Sequence, residues 1–246
     1  MSLRSLTRHW LPRDAKTFLQ RLVLGYHSFA PSFSVAGEDM ILRHLIGPDK
    51  RDGFYVDVGA FDPVKLSNTY AFYLQGWRGI NIEVRPGSRS LFQEVRPRDI
   101  NLEVGISTSA GEMTYHVIGE HSPMNSVSRE FLDHIEVLGQ VTREIRVPVL
   151  PLAEVLERHL PKGQAIDFMS VDIEGHDLEA LRSNDWERFR PRFLVVEDIH
   201  TDGDDPPVVA FLRSRGYDVC ARNVMVLDKL DDYFFIDRSS SASRPG

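Results

Sequence analysis

Acidic residues stand where two short apolar segments of this chain end. Asp57 lies in the run Phe54–Val58, just before Gly59, and Glu83 ends the run Gly79–Glu83, 26 positions after Asp57. A carboxylate can accept hydrogen bonds from both hydroxyls of a ribose, and nucleotide-binding sheets place an acidic residue for this purpose on the second strand. The pair therefore predicts a nucleoside site. The alternative is that both residues only end strands in solvent.

The turn after the first apolar segment lacks the glycines that bind a diphosphate. Gly59 is followed by Ala60-Phe61-Asp62, so the pattern G-x-G-x-x-G is absent. A diphosphate needs several free backbone amides at a helix N-terminus, whereas a nucleoside without phosphates does not. The carboxylate of Asp57 repels a diphosphate and attracts a sulfonium or ammonium group. The predicted ligand is a nucleoside with no phosphate.

A second acidic stretch lies between residues 167 and 177. Asp172 is expected at the carboxyl end of a fourth strand, Gly175 permits a sharp turn, and His176 opens the next helix. The expected tip of the fifth strand carries three further candidates, Glu197, Asp198 and His200. Because the carboxyl ends of parallel strands meet at one edge of a sheet, acidic and imidazole side chains converge there.

Two mechanisms fit these residues. In the first, His176 or Asp172 is a general base that takes the proton from an alcohol as its oxygen attacks an electrophilic methyl group. In the second, Asp172 holds a divalent cation such as Mg²⁺ with Glu197 or Asp198, and the cation lowers the pKa of the hydroxyl. The alternatives are that His176 only caps a helix and that the carboxylates are solvated. For His200, a solvated loop residue is the preferred interpretation.

Strand-like and helical segments alternate along the chain, and they would position these side chains. The predicted strands are 54–58, 79–83, 101–106, 111–118, an edge strand at 147–149, 165–171, 193–196, 217–221 and 233–236. The predicted helices are 38–45, 67–74, 89–95, 152–160, one beginning near 178, and 208–213. The alternation predicts an α/β fold with a mostly parallel sheet and helices on both faces. The last two strands predict an antiparallel closing pair, which is typical of a seven-stranded sheet.

The composition excludes several classes of protein. A length of 246 residues suits one α/β domain, and a net charge of −7 argues against a nucleic-acid partner. The single cysteine excludes an intramolecular disulfide and is typical of a reducing compartment. No apolar run approaches the roughly 20 residues of a membrane span. We therefore predict a cytoplasmic protein.

The N-terminal region differs from the rest in charge. Residues 1–30 carry five basic side chains against the single acidic Asp14, together with Trp10, Phe18 and several leucines. Such a segment could contact the inner membrane surface through residues 1–25, or cover a lipid-linked substrate. The ordinary alternative is a helix packed on its own domain. The predicted division is an N-terminal helical segment (1–45), an α/β domain (46–237) and a disordered polar tail (238–246).

Several motifs occur together in one order. They are Gly37-Glu38-Asp39-Met40-Ile41-Leu42, Phe54-Tyr-Val-Asp-Val-Gly-Ala, Leu66-Ser-Asn-Thr-Tyr, Gly76-Trp-Arg-Gly-Ile-Asn-Ile-Glu83, Ser170-Val-Asp-Ile-Glu-Gly-His176 and Arg190-Pro-Arg-Phe-Leu-Val-Val-Glu197. In this combination, over about residues 30–200, the chain resembles the FkbM-type S-adenosylmethionine-dependent methyltransferases. The resemblance implies a Rossmann-like class I methyltransferase fold and S-adenosylmethionine as cofactor.

The resemblance also implies an activity and roles for particular residues. Members of this family methylate hydroxyls of sugars, glycolipids or polyketide-type natural products. The implied cofactor contacts are Asp57, Gly59 and Glu83, with Glu38, Ser67 and Asn68 lining the pocket. The residues implied to face the methyl-transfer site are Asp172, Glu174 and His176.

We therefore expect an O-methyltransferase that acts on a small-molecule or lipid-linked sugar acceptor. Two rival interpretations remain open. The first is a nucleotide-sugar oxidoreductase, against which the missing glycines and the paired strand-end acids argue. The second is a non-catalytic nucleoside-binding or scaffold protein that keeps the sheet.

Overall fold

The computed structural model describes residues 31–199, 205–225 and 230–241. The predicted membrane contact of residues 1–25 and the candidate residue His200 lie outside the described residues. No helix among the described residues is both long enough and apolar enough to cross a membrane.

The elements follow the predicted alternation. The helices are α1 (Glu38–Ile46), α2 (Tyr70–Leu74), α3 (Ser88–Val95), α4 (Arg129–His134), α5 (Leu152–His159), α6 (Asp177–Arg182), α7 (Pro207–Ser214) and α8 (Arg238–Ser241), with a 3₁₀ turn at Leu138–Gln140. The strands are β1 (Phe54–Val58), β2 (Arg78–Glu83), β3 (Ile100–Glu103), β4 (Gly105–Ile106), β5 (Gly111–Val117), β6 (Arg143–Leu150), β7 (Phe168–Val171), β8 (Phe193–Ile199), β9 (Tyr217–Met225) and β10 (Leu230–Asp237).

Seven strands form the main sheet in the order β3-β2-β1-β7-β8-β10-β9. The first five run parallel, and β10 is antiparallel to both β8 and β9. This arrangement confirms the predicted mostly parallel sheet with its antiparallel closing pair. The strand order reverses between β1 and β7, and ligands of open α/β sheets bind at such a point.

Both faces of the sheet are covered, so β1 is buried along its whole length. Val56 and Val58 point into the larger apolar cluster, with helices α5, α6 and α7. Tyr55 points to the opposite face and packs in a second cluster with Leu42 and Trp77. Because side chains alternate along a strand, Asp57 shares the face of Tyr55. The periodicity thus places an acidic side chain within an apolar layer.

A small second sheet, in the order β4-β6-β5, corrects two predictions. The single strand predicted at 101–106 is split, because β3 pairs with β2 in the main sheet while β4 pairs with β6. The edge strand predicted at 147–149 is part of β6, the central strand of the small sheet. Its Pro148 is tolerated because β4 pairs only with Val149 and Leu150, so no residue of β4 pairs with Pro148.

Two domain boundaries also differ from the prediction. The compact unit begins at Phe33, not at residue 46, because α1 buries Leu42 completely against the second apolar cluster. The tail predicted to be disordered from residue 238 begins with the helix α8, in which Ser239 is hydrogen-bonded to Asp237. Residues 242–246 lie outside the described residues.

Candidate active site

A cavity of about 460 Å³ opens at the carboxyl ends of β1, β2, β7 and β8. Five of the predicted site residues line it: Gly59, Glu83, Asp172, Glu174 and Glu197. The apolar walls come from strand ends such as Val58 and Ile82 and from the small sheet through Ile106 and Tyr115. This volume is in the range of roughly 300–1,000 Å³ that is typical of a site for one small ligand.

Gly59 has a positive φ of 85°, and its conformation brings two strand ends together. A Cβ atom on this residue would lie 1.7 Å from the carbonyl oxygen of Asp172, so no other residue fits. The amides of Gly59 and Ala60 both donate to the carbonyl of Ile82, at 2.9 and 3.1 Å, and the amide of Phe61 donates to Glu83 at 2.8 Å. The turn therefore has none of the free amides that a diphosphate requires.

Glu83 is buried at the wall of the cavity and is oriented by two backbone amides. Its Oε2 accepts from Phe61 N at 2.8 Å, and its Oε1 accepts from Arg85 N at 2.7 Å. Burial raises the pKa of Glu83, although both amides act in the opposite direction. Each carboxylate oxygen has two acceptor positions, so each retains one for a ribose hydroxyl.

Asp57 does not line the cavity but organises the loop beside it. Its Oδ2 accepts from Thr69 Oγ1 at 2.6 Å, and the same hydroxyl accepts from Arg96 at 2.7 Å. Arg96 is completely buried and also donates to the Pro63 carbonyl and to Ser67 Oγ, both at 2.7 Å. Three points of the loop between β1 and α2 are thus held by one guanidinium. Ser67, predicted to line the pocket, is one of them.

Two other predicted pocket residues are engaged by the protein itself. Asn68 donates through Nδ2 to Ser170 Oγ at 3.0 Å, across to strand β7. Glu38 is 2% exposed and accepts from Ala36 N at 2.9 Å and from Asn223 Nδ2 at 2.7 Å. Like Asp57, neither is part of the cavity wall. Their contacts connect α1 and the β1 loop to the strands around the site.

Three carboxylates form a cluster in the cavity. Ligand oxygens of Asp172, Glu174 and Glu197 all lie within 4.8 Å of one another. Asp172 Oδ1 is buried without a hydrogen-bond partner among the described residues. Burial, reinforced by the charges of Asp57 and Glu38, raises the pKa of Asp172 to about 7. Burial and the neighbouring carboxylates raise the pKa values of Glu174 and Glu197 as well.

The turn that carries Glu174 is strained and tightly anchored. Glu174 and Gly175 have positive φ values of 56° and 84°, and a Cβ on Gly175 would lie 2.4 Å from Phe131. Ser126 Oγ donates to the Glu174 carbonyl at 2.7 Å, and Asp177 accepts from Gly175 N at 3.1 Å. A non-glycine residue in this conformation is often found at functional sites. The turn therefore holds Glu174 at the cavity against an unfavourable backbone conformation.

His176 lies at the N-terminal cap of α6 and does not line the cavity. Its Nε2 is 3.3 Å from Ser107 Oγ, and burial lowers its pKa. Asp198 lines a separate, smaller cavity of about 200 Å³ that also contacts Glu197. The structure therefore brings Glu83, Asp172, Glu174 and Glu197 to one cavity but places His176 and Asp198 outside its wall.

Sequence reasoning assigned no role in the site to Arg96 or Thr69, although both orient the loop beside the cavity. Arg96 stands in the charged segment Val95-Arg96-Pro97-Arg98, which is typical of an exposed helix end. Nothing local distinguishes it from Arg98. The repeated hydroxyl residues near Ser67 were the available signal, because buried hydroxyls need partners.

The sheet order, the strand-end carboxylates and the absence of free loop amides define a class of protein. They are those of the Rossmann-like, S-adenosylmethionine-dependent class I methyltransferases. The family model described as the methyltransferase FkbM domain matches residues 57–219. The chain belongs to the FkbM methyltransferase family, as the motifs predicted.

The individual proteins that resemble this chain have low sequence identity to it. The methyltransferase sdnD of Sordaria araneosa is 29% identical over 141 residues, which cover 48% of this chain and 53% of that protein. The chain thus matches about half the length of this relative. A Burkholderia thailandensis 1,6-didemethyltoxoflavin-N1-methyltransferase with bound S-adenosylhomocysteine is 12% identical, with a TM-score of 0.43 over 90% of this chain and 86% of that one. A Bacillus cereus O-methyltransferase is 12% identical, with a TM-score of 0.40 and coverage of 94% of both chains.

Three aspartates with raised pKa values predict how the stability of the protein depends on pH. Burial raises the pKa of Asp172 and Asp177 to about 7, and burial together with Glu38 raises that of Asp232 to about 9. The folded state therefore holds protons that the unfolded state has lost, and this contribution disappears as the pH rises through these values. We expect the melting temperature of the ligand-free protein to fall by about 5 °C or more between about pH 6 and pH 9.

Two variants distinguish the origin of this effect. Asp232→Asn removes one of the raised pKa values and should flatten the upper part of the melting profile. Asp49→Asn changes an exposed aspartate and should leave the profile as it is. A melting temperature that stays constant or rises over the same interval contradicts the assignment.

Proposed function

We propose that the protein is an O-methyltransferase that moves the methyl group of S-adenosylmethionine to a hydroxyl of a saccharide, a glycolipid or a related natural product. The observation that carries this proposal is the position of Asp172. Asp172 lines the same cavity as Gly59 and Glu83, and its buried Oδ1 has no hydrogen-bond partner among the described residues. A donor site and a proton acceptor therefore share one cavity.

The donor half of the cavity suits adenosine without phosphate. Glu83 has a free acceptor position on each oxygen for the two ribose hydroxyls. The turn at Gly59 has no amides to offer a phosphate, because they donate to Ile82 and Glu83. The surplus of carboxylates around Asp172 attracts the sulfonium and ammonium charges of S-adenosylmethionine. The same features argue against the rival nucleotide-sugar oxidoreductase.

The chemical step is a displacement at carbon. The acceptor oxygen forms a bond to the methyl carbon while the carbon–sulfur bond breaks and its electron pair returns to sulfur. The hydroxyl proton goes to Asp172, and S-adenosylhomocysteine and the methyl ether leave. A base whose pKa lies near the working pH is effective in general base catalysis, and that of Asp172 is raised to about 7. The cavity contributes by aligning oxygen, carbon and sulfur.

Asp172 is preferred to His176 as the base. His176 contacts Ser107 and does not line the cavity. Asp172 lines the cavity, together with its carboxylate neighbours Glu174 and Glu197. We assign Glu174 and Glu197 to the acceptor side, where they can orient the hydroxyls of a sugar as hydrogen-bond acceptors. In this arrangement the side chain of His176 contacts Ser107 and takes no part in the proton transfer.

A cation-assisted mechanism is the second candidate. Asp172, Glu174 and Glu197 offer three oxygens within 4.8 Å of one another, which is the ligand type that Mg²⁺ prefers. A divalent ion held by these residues would lower the pKa of a bound hydroxyl, so that no separate base is needed. The raised pKa values of the three carboxylates fit a proton shared among them as well as they fit a bound cation. Removal of metal ions distinguishes the two mechanisms.

Calorimetry tests the choice of cofactor. S-adenosylmethionine should bind and NAD⁺ should not, because the β1 turn has no phosphate-binding amides. Glu83→Gln should weaken the binding of S-adenosylmethionine by about tenfold or more, since a hydrogen bond to a charged group contributes about 1.5–3 kcal/mol. Glu103→Gln, an exposed strand-end glutamate on the neighbouring strand, is the matched control. Binding of NAD⁺ supports the oxidoreductase, and binding of neither supports a scaffold.

Substitution tests the base. Turnover is followed as S-adenosylhomocysteine formation with the best acceptor from a panel of saccharides and alkyl glycosides. Asp172→Asn should lower kcat by about 100-fold or more, because general base catalysis contributes about 10²–10⁴. It should retain affinity for S-adenosylhomocysteine, which lacks the sulfonium charge. His176→Gln should stay close to the unaltered enzyme; a large loss there returns the role of base to His176.

Removal of metal ions separates the two mechanisms. With Asp172 as the base, dialysis against a chelator should leave kcat within about twofold, because the proton passes directly to the carboxylate. The cation-assisted mechanism is established instead if the chelator abolishes turnover and added Mg²⁺ restores it. In that case, added Mg²⁺ should not restore turnover in the Glu197→Gln variant.

A further inference from the structure

Large apolar side chains are exposed at few positions of the described chain. They are Val35, Leu66, Leu74, Met124 and Val224. Three of these line the active-site cavity: Val35, Leu66 and Met124. They come from three separate segments, before α1, before α2 and between β5 and α4. We call these three residues the apolar rim.

The side chain of Leu66 is exposed to solvent, and its backbone has an unfavourable conformation. It is 44% exposed and has a positive φ of 54°, which glycine or asparagine adopts with less strain than leucine. The backbone on both sides is fixed, since Lys65 N donates to Asp62 at 2.8 Å and Ser67 N donates to the Phe33 carbonyl at 2.9 Å. A strained and exposed leucine adds little to folding, so the cost has to serve another purpose.

The other two rim residues are also held in place by polar contacts. The Ser67–Phe33 hydrogen bond joins the segment of Val35 to the loop of Leu66. Asn125 closes the loop that presents Met124, because its side chain accepts from Ile118 N and donates to the Gly119 carbonyl, both at 2.8 Å. Its neighbour Ser126 connects this loop to Glu174. The rim is therefore a built surface beside the carboxylates rather than a set of loose loop tips.

The position of the rim decides what it can contact. The cavity has the volume of a site for one small ligand. In the proposed function the adenosine lies against Glu83 in the cavity wall. The rim residues line the cavity and are also exposed to solvent, so they lie at its mouth. In the proposed function the acceptor places a hydroxyl at Asp172, and the rest of the acceptor extends toward this mouth. Glu174 and Glu197 offer polar contacts on one side of the acceptor, and the rim offers apolar contacts on the other.

We propose that the apolar rim binds a hydrophobic part of the methyl acceptor, so that the substrate is amphipathic: a hydroxyl-bearing group joined to an apolar chain or frame. This inference rests on the proposed function and narrows its substrate class. It excludes free, fully hydrophilic sugars as good acceptors. Leu66 and Met124 become residues that determine specificity through binding.

The test uses alkyl β-glucosides of increasing chain length, from methyl to octyl, titrated below micelle-forming concentrations. Binding is measured to the full chain saturated with S-adenosylhomocysteine. From methyl to octyl glucoside the dissociation constant should fall about tenfold or more, because each methylene buried against apolar surface tightens binding by about fourfold. In the double variant Leu66→Asn/Met124→Ser this gain should nearly vanish. The double variant Leu74→Asn/Val224→Ser, exposed positions away from the cavity, should keep it.

Two further measurements separate this role from others. Leu66→Asn relieves backbone strain, so its melting temperature should be unchanged or higher; a clear decrease shows that Leu66 is structural and overturns the proposal. Its affinity for S-adenosylhomocysteine should also be unchanged. A tenfold loss there assigns the rim to the donor and equally overturns it.

Several results contradict the proposal directly. Equal binding of methyl and octyl glucoside, no binding of either, or a gain that survives in the rim variant each does so. Rim-dependent sedimentation with phosphatidylcholine vesicles would assign the rim to a bilayer surface instead. If S-adenosylhomocysteine does not bind, the proposed function fails separately, and the same titration on the ligand-free chain still decides whether the rim binds apolar chains.

Discussion

A single buried cation organises the site. Arg96 is completely buried below the ends of β1 and β2, where it contacts the rings of Tyr70, Tyr73 and Phe92 and bonds to the loop that follows β1. Its charge is balanced by Asp57, through the bridging hydroxyl of Thr69. Removing one partner of a buried pair typically costs about 3–5 kcal/mol, because the other charge is left unpaired. The loop geometry, and with it the cavity wall, therefore depends on this pair.

The acidic cluster shows how stability and function oppose each other. Burial, together with the charges of neighbouring carboxylates, raises the pKa values of Asp172, Glu174 and Glu197 and favours their protonated forms in the ligand-free protein. The same crowding favours a cationic ligand, since positive charge relieves the repulsion. In the proposed reaction the sulfonium is consumed while a proton is delivered to Asp172. The total positive charge near the cluster is thus conserved during the step, which limits the electrostatic cost.

The small sheet contributes part of the cavity wall in addition to the main sheet. It is inserted between β3 and α5 and adds Tyr115 and the loop of Met124 to the cavity wall. Through the Ser126–Glu174 hydrogen bond, this insertion contacts the strained turn that carries one of the carboxylates. In the proposed function, the part of the wall that selects an acceptor is therefore not the part that binds the donor. Such a separation allows a family with one donor to accept different substrates.

Local sequence patterns were sufficient to predict the main sheet, the family and half of the candidate site. The alternation of apolar segments is a property of neighbouring residues, so the parallel sheet and its closing pair could be predicted, as could the carboxylates at strand ends such as Glu83 and Asp172. Contacts between distant segments could not be predicted, because no local pattern encodes them. Examples are the burial of Arg96, the division of the predicted strand 101–106 between two sheets, and the position of His176 outside the cavity. The residue types and their order along the chain were therefore enough to establish which chemical groups lie at the carboxyl edge of the sheet. Which of these side chains line the cavity depends on how segments far apart in the chain pack against one another, and this could be learned only from the folded structure.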